Sequence, residues 1–175
     1  MTFDIRPLGL DDDTVERLTR ILVDTVESGG SVHFMAPVPA GEAAGYWREA
    51  LNDGGRIVLG AWRGGELLGT VTLWLDTPPN QPFRGEIWKL MTAPAGRGQG
   101  VATALMAEAE ALAVRHGRSL LNLDTAAEGG AAALYERLGW TRAGEIPGYA
   151  YRPHGGLVGT VIFYKALQPI TASGI

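Results

Sequence analysis

The sequence predicts a mixed α/β fold, and three observations carry that prediction. Stretches with strand character alternate with stretches whose apolar residues recur at helical spacing. A strand–helix–strand unit lies at the centre, with "EIWKLMT" and "SLLNLDT" flanking a helical stripe. Two strands joined in this way are expected to be parallel across a right-handed crossover. The 175 residues are 46% hydrophobic and 19% charged, which suits one globular domain with a proper core.

The elements follow in order. Thr2 to Arg6 reads as a short opening strand, and "DDDTVERLTRILVDTVESGG" as a helix with acidic residues at its start. Val15, Leu18, Ile21, Leu22 and Val26 form its apolar stripe, and Gly29 and Gly30 stop it. A second helix is expected from about Gly41 to Leu51, closed by "NDGG". "RIVLGAWRGGELLGTVTLWLD" divides at Gly64-Gly65 into a hairpin, and "TPPNQPFRG" is a loop. Glu86 to Thr92 is the next strand. A helix to about His116 follows, with Val101, Leu105, Ala109 and Leu112 as its stripe. "SLLNLDT" is a strand, "GGAAALYERLG" a short helix and "WTRAGEI" a strand. "PGYAYRPHGGL" is expected to be a loop and "VGTVIFYKAL" the last strand. Residues 1–167 are thus expected to form one domain, with 168–175 a loose tail.

Composition excludes several classes of function. A net charge of −4 argues against nucleic acid or an anionic membrane as partner. With no cysteine there is no disulfide, thiolate zinc site or cysteine nucleophile. His33, His116 and His154 share no metal-ligand spacing, so no metal is expected, and only His33 is expected near an acceptor site. No G-x-S-x-G occurs, which removes a serine hydrolase. The N-terminus lacks the pattern of a signal peptide and no segment has the length of a membrane span, so the expected location is the cytoplasm. The five tryptophans read as core.

The most informative stretch is "PAGRGQGVATALM", where Gly96, Gly98 and Gly100 surround Arg97 just before a helix. A helix N-terminus leaves N–H groups unpaired and holds anions, glycines admit close backbone approach, and arginine suits phosphate. The turn is not a P-loop, since it has no lysine. It is not a dinucleotide fingerprint either, because the sixth positions from Gly96 and Gly98 are Val101 and Thr103.

Arg97-x-x-Gly100-x-Ala102 resembles the [QR]-x-x-G-x-[GA] turn of the GNAT family of N-acetyltransferases, and "LDTAAEGGAAALYERLGW" resembles that family's following strand and helix. "GGSVHFMA", "EIWKLM", "LLNLDT" and "IPGYAYRPHGGLVGTVIFYKAL" look like segments of its tabtoxin-resistance branch. The resemblance implies a mixed sheet of about seven strands flanked by about four helices, with parallel strands 4 and 5 splayed apart. It implies acetyl-CoA as cosubstrate, with pyrophosphate on Arg97, Gly98, Gln99, Gly100, Val101, Ala102 and Thr103. The pantetheine arm would lie along the backbone of Leu90, Met91 and Thr92. Where many members carry an asparagine, seven residues before the tyrosine, this chain has Glu128.

Acetyl transfer to an amine needs a proton acceptor, oxyanion stabilisation and a proton for the leaving thiolate. Asp124 and Glu86 are the candidate bases at strand ends, and alternation places Asn122 and Asp124 on one face. A turn or cap role for Asp124 is the competing reading, although "TAAE" matches a capping box that starts at Thr125. Glu86 has the plainer alternative of a solvated strand end. The resemblance implies Tyr135 as general acid, against a packing role beside Leu134 and Leu138. A backbone N–H near Met91 is the expected oxyanion donor.

The expected function is acetyl-CoA-dependent N-acetylation of a primary amine on a small molecule, with antibiotics and toxins among the candidate acceptors. The competing readings are a non-catalytic acyl-CoA-binding regulatory module and a peptide or protein N-acetyltransferase. The acceptor is expected between loops near Ser31 to Pro37 and Pro147 to Leu157, and a homodimer is common in the family.

Overall fold

The computed structural model describes residues 2–168. In chain order the elements are β1 (Asp4–Pro7), α1 (Asp12–Glu27), α2 (Ala40–Asn52), β2 (Arg56–Arg63), β3 (Glu66–Trp74) and β4 (Arg84–Thr92). After a 3-10 turn at Pro94–Gly96 come α3 (Val101–Arg115), β5 (Leu120–Ala126), α4 (Ala131–Arg137), β6 (Thr141–Tyr151) and β7 (Leu157–Ala166). The strands form one seven-stranded sheet in the order β1-β2-β3-β4-β5-β7-β6. Among the described residues only the β4–β5 pair is parallel. The mixed α/β class and its element order are those read from the sequence.

Helical stripes decide which face of the sheet each helix covers. Asp11 caps α1 by accepting from the Thr14 N–H at 2.8 Å, and the Val15, Leu18, Ile21, Leu22 and Val26 stripe is buried. That stripe packs with Trp47 of α2 and with Val58 and Leu67 of the sheet. Val101, Leu105, Ala109 and Leu112 of α3 pack with Leu59 and Leu68 in a separate cluster. Neighbours such as Val58 and Leu59 fall in different clusters because successive strand residues point to opposite faces.

One irregularity in β4 matters for everything downstream. Thr72 faces Trp88 and Thr70 faces Met91, so Val71 stands opposite two residues, Lys89 and Leu90. This is a β-bulge, and Lys89 takes a left-handed φ of 54° within it. An extra residue reverses the parity of the strand. Ile87 accordingly packs with the α3 cluster and Met91 with the α1–α2 cluster, although residues four apart share a face in a regular strand.

The parallel ladder is short. It pairs Arg84 with Leu120, Gly85 with Leu121 and Glu86 with Asn122, and then stops while both strands continue. Bulges bend and twist the strand that carries them, which parts β4 from β5 beyond this point. The splay expected from the resemblance is thus present, and from Ile87 onward β4 has no ladder partner on its β5 side.

Two local expectations need correction. The stretch from Pro147 was expected to be loop, yet β6 runs on to Tyr151, leaving the β6–β7 loop to residues 152–156. Proline is tolerated there because β6 is the edge strand, and a register shift between Ile146 and Ala150 absorbs it. Thr125 lies within β5 and does not cap α4, whose N-cap is Gly130. Of the expected tail, 168–175, all beyond Gln168 lies outside the described residues.

Candidate active site

The glycine turn forms a cradle at the open end of α3. Gly100 is the N-cap with φ 84°, and no side chain among the described residues caps the helix, which leaves its first N–H groups open. Arg97, Gly98, Gly100, Val101, Ala102 and Thr103 line one depression together with Thr92 and Arg137. Gln99 does not line it, because its side chain turns back to the Ala95 carbonyl at 2.5 Å. Arg137, which sequence reasoning did not nominate, arrives from α4 and faces the same depression as Arg97. Backbone donors, a helix N-terminus and two guanidinium groups fit the pyrophosphate of a coenzyme A thioester.

The three glycines do different work. Gly98 and Gly100 both have positive φ, at 71° and 84°, which side chains rarely adopt. Gly96 lines the same depression and is also tightly packed: a Cβ there would stand 2.8 Å from the Leu68 carbonyl oxygen. Gly96→Ala is expected to destabilise the fold by about 1–3 kcal/mol, the usual cost of overpacking. At this size that corresponds to roughly 2–4 °C in Tm per kcal/mol, read by thermal unfolding. An unchanged Tm would mean that the turn yields without cost.

Beyond the end of the β4–β5 ladder lies a cleft. Trp88, Lys89 and Leu90 form one wall, Asp124 and Thr125 the other, with Tyr135 inside and His33 on a loop at its edge. Leu90 of the bulge and Met91 and Thr92 after it lie on the stretch of β4 that has no ladder partner on its β5 side, an edge that suits an amide-rich pantetheine arm. Asp124 is exposed, and its Oδ2 accepts a 2.9 Å hydrogen bond from the buried Thr160 hydroxyl. Tyr135 is only 7% exposed and packs near Trp140 and Phe163. Burial first, and the nearby Asp124 charge second, push its phenol pKa above the ordinary value. Tyr135 therefore keeps its proton across the neutral range.

Glu86 does not line this cleft. It sits on the last rung of the ladder, where it pairs with Arg84 and accepts from Trp88 Nε1 at 2.9 Å. Arg84 also donates to Asn122 Oδ1 at 2.6 Å. Asn122 and Asp124 do not act on the same partner. Trp88 is not core, since it lines the cleft and meets the His33 ring edge-on at 5.8 Å.

Lys89 is the residue that sequence reasoning passed over. It is 7% exposed, and its Nζ donates to the Val32 carbonyl at 2.7 Å and lies 2.9 Å from His33 Nδ1. Burial is the main cause that brings its pKa down to about 8. A lysine between Trp88 and Leu90 in an alternating strand gives no hint of burial. The bulge that turns it inward is a tertiary feature.

The two loops expected at the acceptor end are joined. The Ala36 N–H donates to the Pro153 carbonyl at 2.9 Å. Arg152 Nη2 reaches both carboxylate oxygens of Glu128, at 2.8 and 2.7 Å, and His154 Nε2 lies 3.0 Å from the Glu27 carbonyl. These contacts tie the β6–β7 loop to α1, to the loop before α2 and to the loop before α4.

The acetyltransferase (GNAT) family model matches residues 20–140 of this chain. Among solved structures, a candidate phosphinothricin N-acetyltransferase superposes with TM-score 0.79 at 19% identity, over 95% of this chain and 99% of its own. The ribosomal-protein-alanine N-acetyltransferase from Brucella melitensis gives 0.76 at 23% identity, over 93% and 99%. The yncA protein from Salmonella typhimurium, solved with its cofactor acetyl-CoA, gives 0.77 at 19% identity, over 97% and 96%. With the family model spanning most of its length, and with an open helix N-terminus and a splayed strand pair to receive the donor, this chain belongs to the acetyltransferase (GNAT) family, acyltransferases that take their acetyl group from acetyl-CoA.

Proposed function

We propose that this protein acetylates the primary amine of a small molecule, with Asp124 as proton acceptor and Tyr135 as proton donor. The observation that carries the reading is the placement of these two side chains in one cleft, beside the unpaired edge of β4. Acetyl-CoA supplies the thioester. Arg97 and the α3 N-terminus hold its pyrophosphate, and the backbone of Leu90 to Thr92 holds its arm. Asp124 attracts the acceptor ammonium and takes its proton, directly or through a water. A backbone N–H near Met91 meets the developing oxyanion, and Tyr135 gives its proton to the departing sulfur.

Asp124 is favoured over Glu86 because Glu86 is occupied by Arg84 and Trp88 at the closed end of the ladder. His33 is not the base: its Nδ1 faces the Lys89 ammonium, which has only protons to offer. The acceptor class rests on the joined loops. The structural neighbours are named for phosphinothricin and for a ribosomal-protein alanine, so the fold admits both kinds of acceptor. A peptide needs a groove open at both ends, and here the two loops that would border it are joined by the Ala36–Pro153 hydrogen bond. Antibiotics and toxins with a free amine remain within the proposed class.

The test is thiol release from acetyl-CoA over amino acids, polyamines, aminoglycosides, amino-β-lactams and peptides. The chain has no cysteine, so a thiol-reactive dye sees only product. Turnover with small amines and none with peptides is the expected result. Preferential turnover of peptides would make it a peptide acetyltransferase, and acetyl-CoA binding without turnover would make it a binding module.

A further inference from the structure

Two segments singled out in the sequence, "GGSVHFMA" and "EIWKLM", are brought into contact by the fold through a lysine that the transfer steps above do not use. Lys89 of the second reaches Val32 and His33 of the first. Its Nζ also lies 5.5 Å from the Phe34 ring centre and 5.1 Å from that of Tyr46. A buried ammonium is costly unless partnered, and two polar contacts and two aromatic faces supply the partners. Lys89 thereby braces the acceptor loop against β4.

The brace sets the chemistry of His33. An ammonium donates and does not accept, so Nδ1 of His33 accepts and the neutral ring carries its proton on Nε2. Burial first, and then the Lys89 charge, lower the His33 pKa below its ordinary value, so the ring is neutral at pH 7. Among the described residues Nε2 has no partner, and the ring lines the cleft. Asp124 lines the same cleft, with Oδ2 bound to Thr160 and Oδ1 without a hydrogen-bond partner among the described residues.

We infer that His33, held in its Nε2–H form by Lys89, binds an anionic oxygen of the acceptor while Asp124 receives its amine, so that the cleft selects small molecules bearing both groups. The inference rests on the reading of the cleft as the site of acetyl transfer. Lys89 is a positioning residue in it and His33 a specificity-determining one. A hydrogen bond to an ionised oxygen is roughly twice as strong as one between neutral groups. The Lys89 charge behind the ring adds to the attraction, whereas a simple monoamine offers this donor nothing.

The groups facing Lys89 are His33 from the acceptor loop, Tyr46 from α2, Arg56 from β2 and Asp124 from β5. Burial and Arg56 lower its pKa and Asp124 raises it, for a value of about 8. Below that pH the ammonium enforces the Nε2–H form. As pH rises through it, the neutral amine can accept from Nδ1–H, and the enforcement is lost.

The first measurement is nitrogen-15 NMR of histidine-labelled protein, which reads the tautomer of His33 without turnover. The Nε2–H form is expected at pH 7, giving way to a mixture above about pH 8. Lys89→Met is expected to show that mixture already at pH 7. Norvaline is expected to shift the His33 Nε2 signal, and n-butylamine, the same molecule without its carboxylate, to leave it in place. In thiol-release kinetics norvaline is expected to have a KM about tenfold below that of n-butylamine. The ratio of their kcat/KM values is expected to collapse in His33→Phe and Lys89→Met and to survive in His33→Gln, whose amide N–H replaces Nε2–H. An Nδ1–H tautomer at pH 7, or an Nε2 signal indifferent to norvaline, would overturn the inference. A signal that responds to norvaline while no amine is acetylated would support it and defeat the acetyl-transfer reading instead.

Discussion

Asp124→Asn is expected to lower kcat for amine acetylation by about 10²–10⁴-fold, the range for a positioned acid or base. Acetyl-CoA affinity should be nearly unchanged, because the sites proposed for the donor, the α3 turn and the edge of β4, lie on the other side of the cleft. Asparagine is close to isosteric and can still accept from the Thr160 hydroxyl, which holds Asp124 at 2.9 Å. What it removes is the negative charge. That charge also favours the protonated forms of His33 and Lys89. In the variant, Lys89 is therefore expected to lose its proton at a lower pH than in the wild type. Steady-state kinetics with binding by calorimetry separates the two effects. A variant with wild-type kcat would move the proton acceptor elsewhere, and Glu86→Gln would then be the next variant to measure.

Tyr135→Phe is expected to lower kcat by about 10²-fold, at the weak end of the acid–base range, because a thiolate is a good leaving group. The ring contacts with Trp140 and Phe163 stay, so thermal stability should hold. Burial and Asp124 raise the Tyr135 pKa. Since the native state keeps the proton beyond the ordinary phenol value, no loss of activity from Tyr135 is expected as pH climbs towards 10. A Tyr135→Phe enzyme with full kcat would leave the residue a purely packing role.

Much of this site was legible in the chain because its signals are local. The left-handed Gly98 and Gly100 ahead of an apolar stripe are a backbone requirement written into adjacent residues. The resemblance of "ALYERLGW" to the family's helix brought Tyr135 into view, and its place at the end of a strand brought Asp124. Gly96 carries a further requirement that local logic does not report. Its lack of a side chain answers to Leu68, a residue distant in sequence, and no turn rule reports that contact. Trp88 was assigned to core because a tryptophan in an apolar strand looks like core until one of its faces is left open.

By itself the sequence determined the order of elements, the stripes that sort helices to the two faces, the glycine turn ahead of α3 and the family. Those depend on periodicity, composition and short motifs, which are properties of neighbouring residues. The tertiary structure alone decided where the β4–β5 ladder ends, that Lys89 turns inward to meet Val32 and His33, and that Glu86 is occupied at the closed end. It also decided that the acceptor loops are tied together, through Ala36 and Pro153. The reason is register. A single extra residue in β4 reverses which side chains face the cleft, and that residue is specified by pairing with β3 across an intervening loop rather than by any pattern within β4.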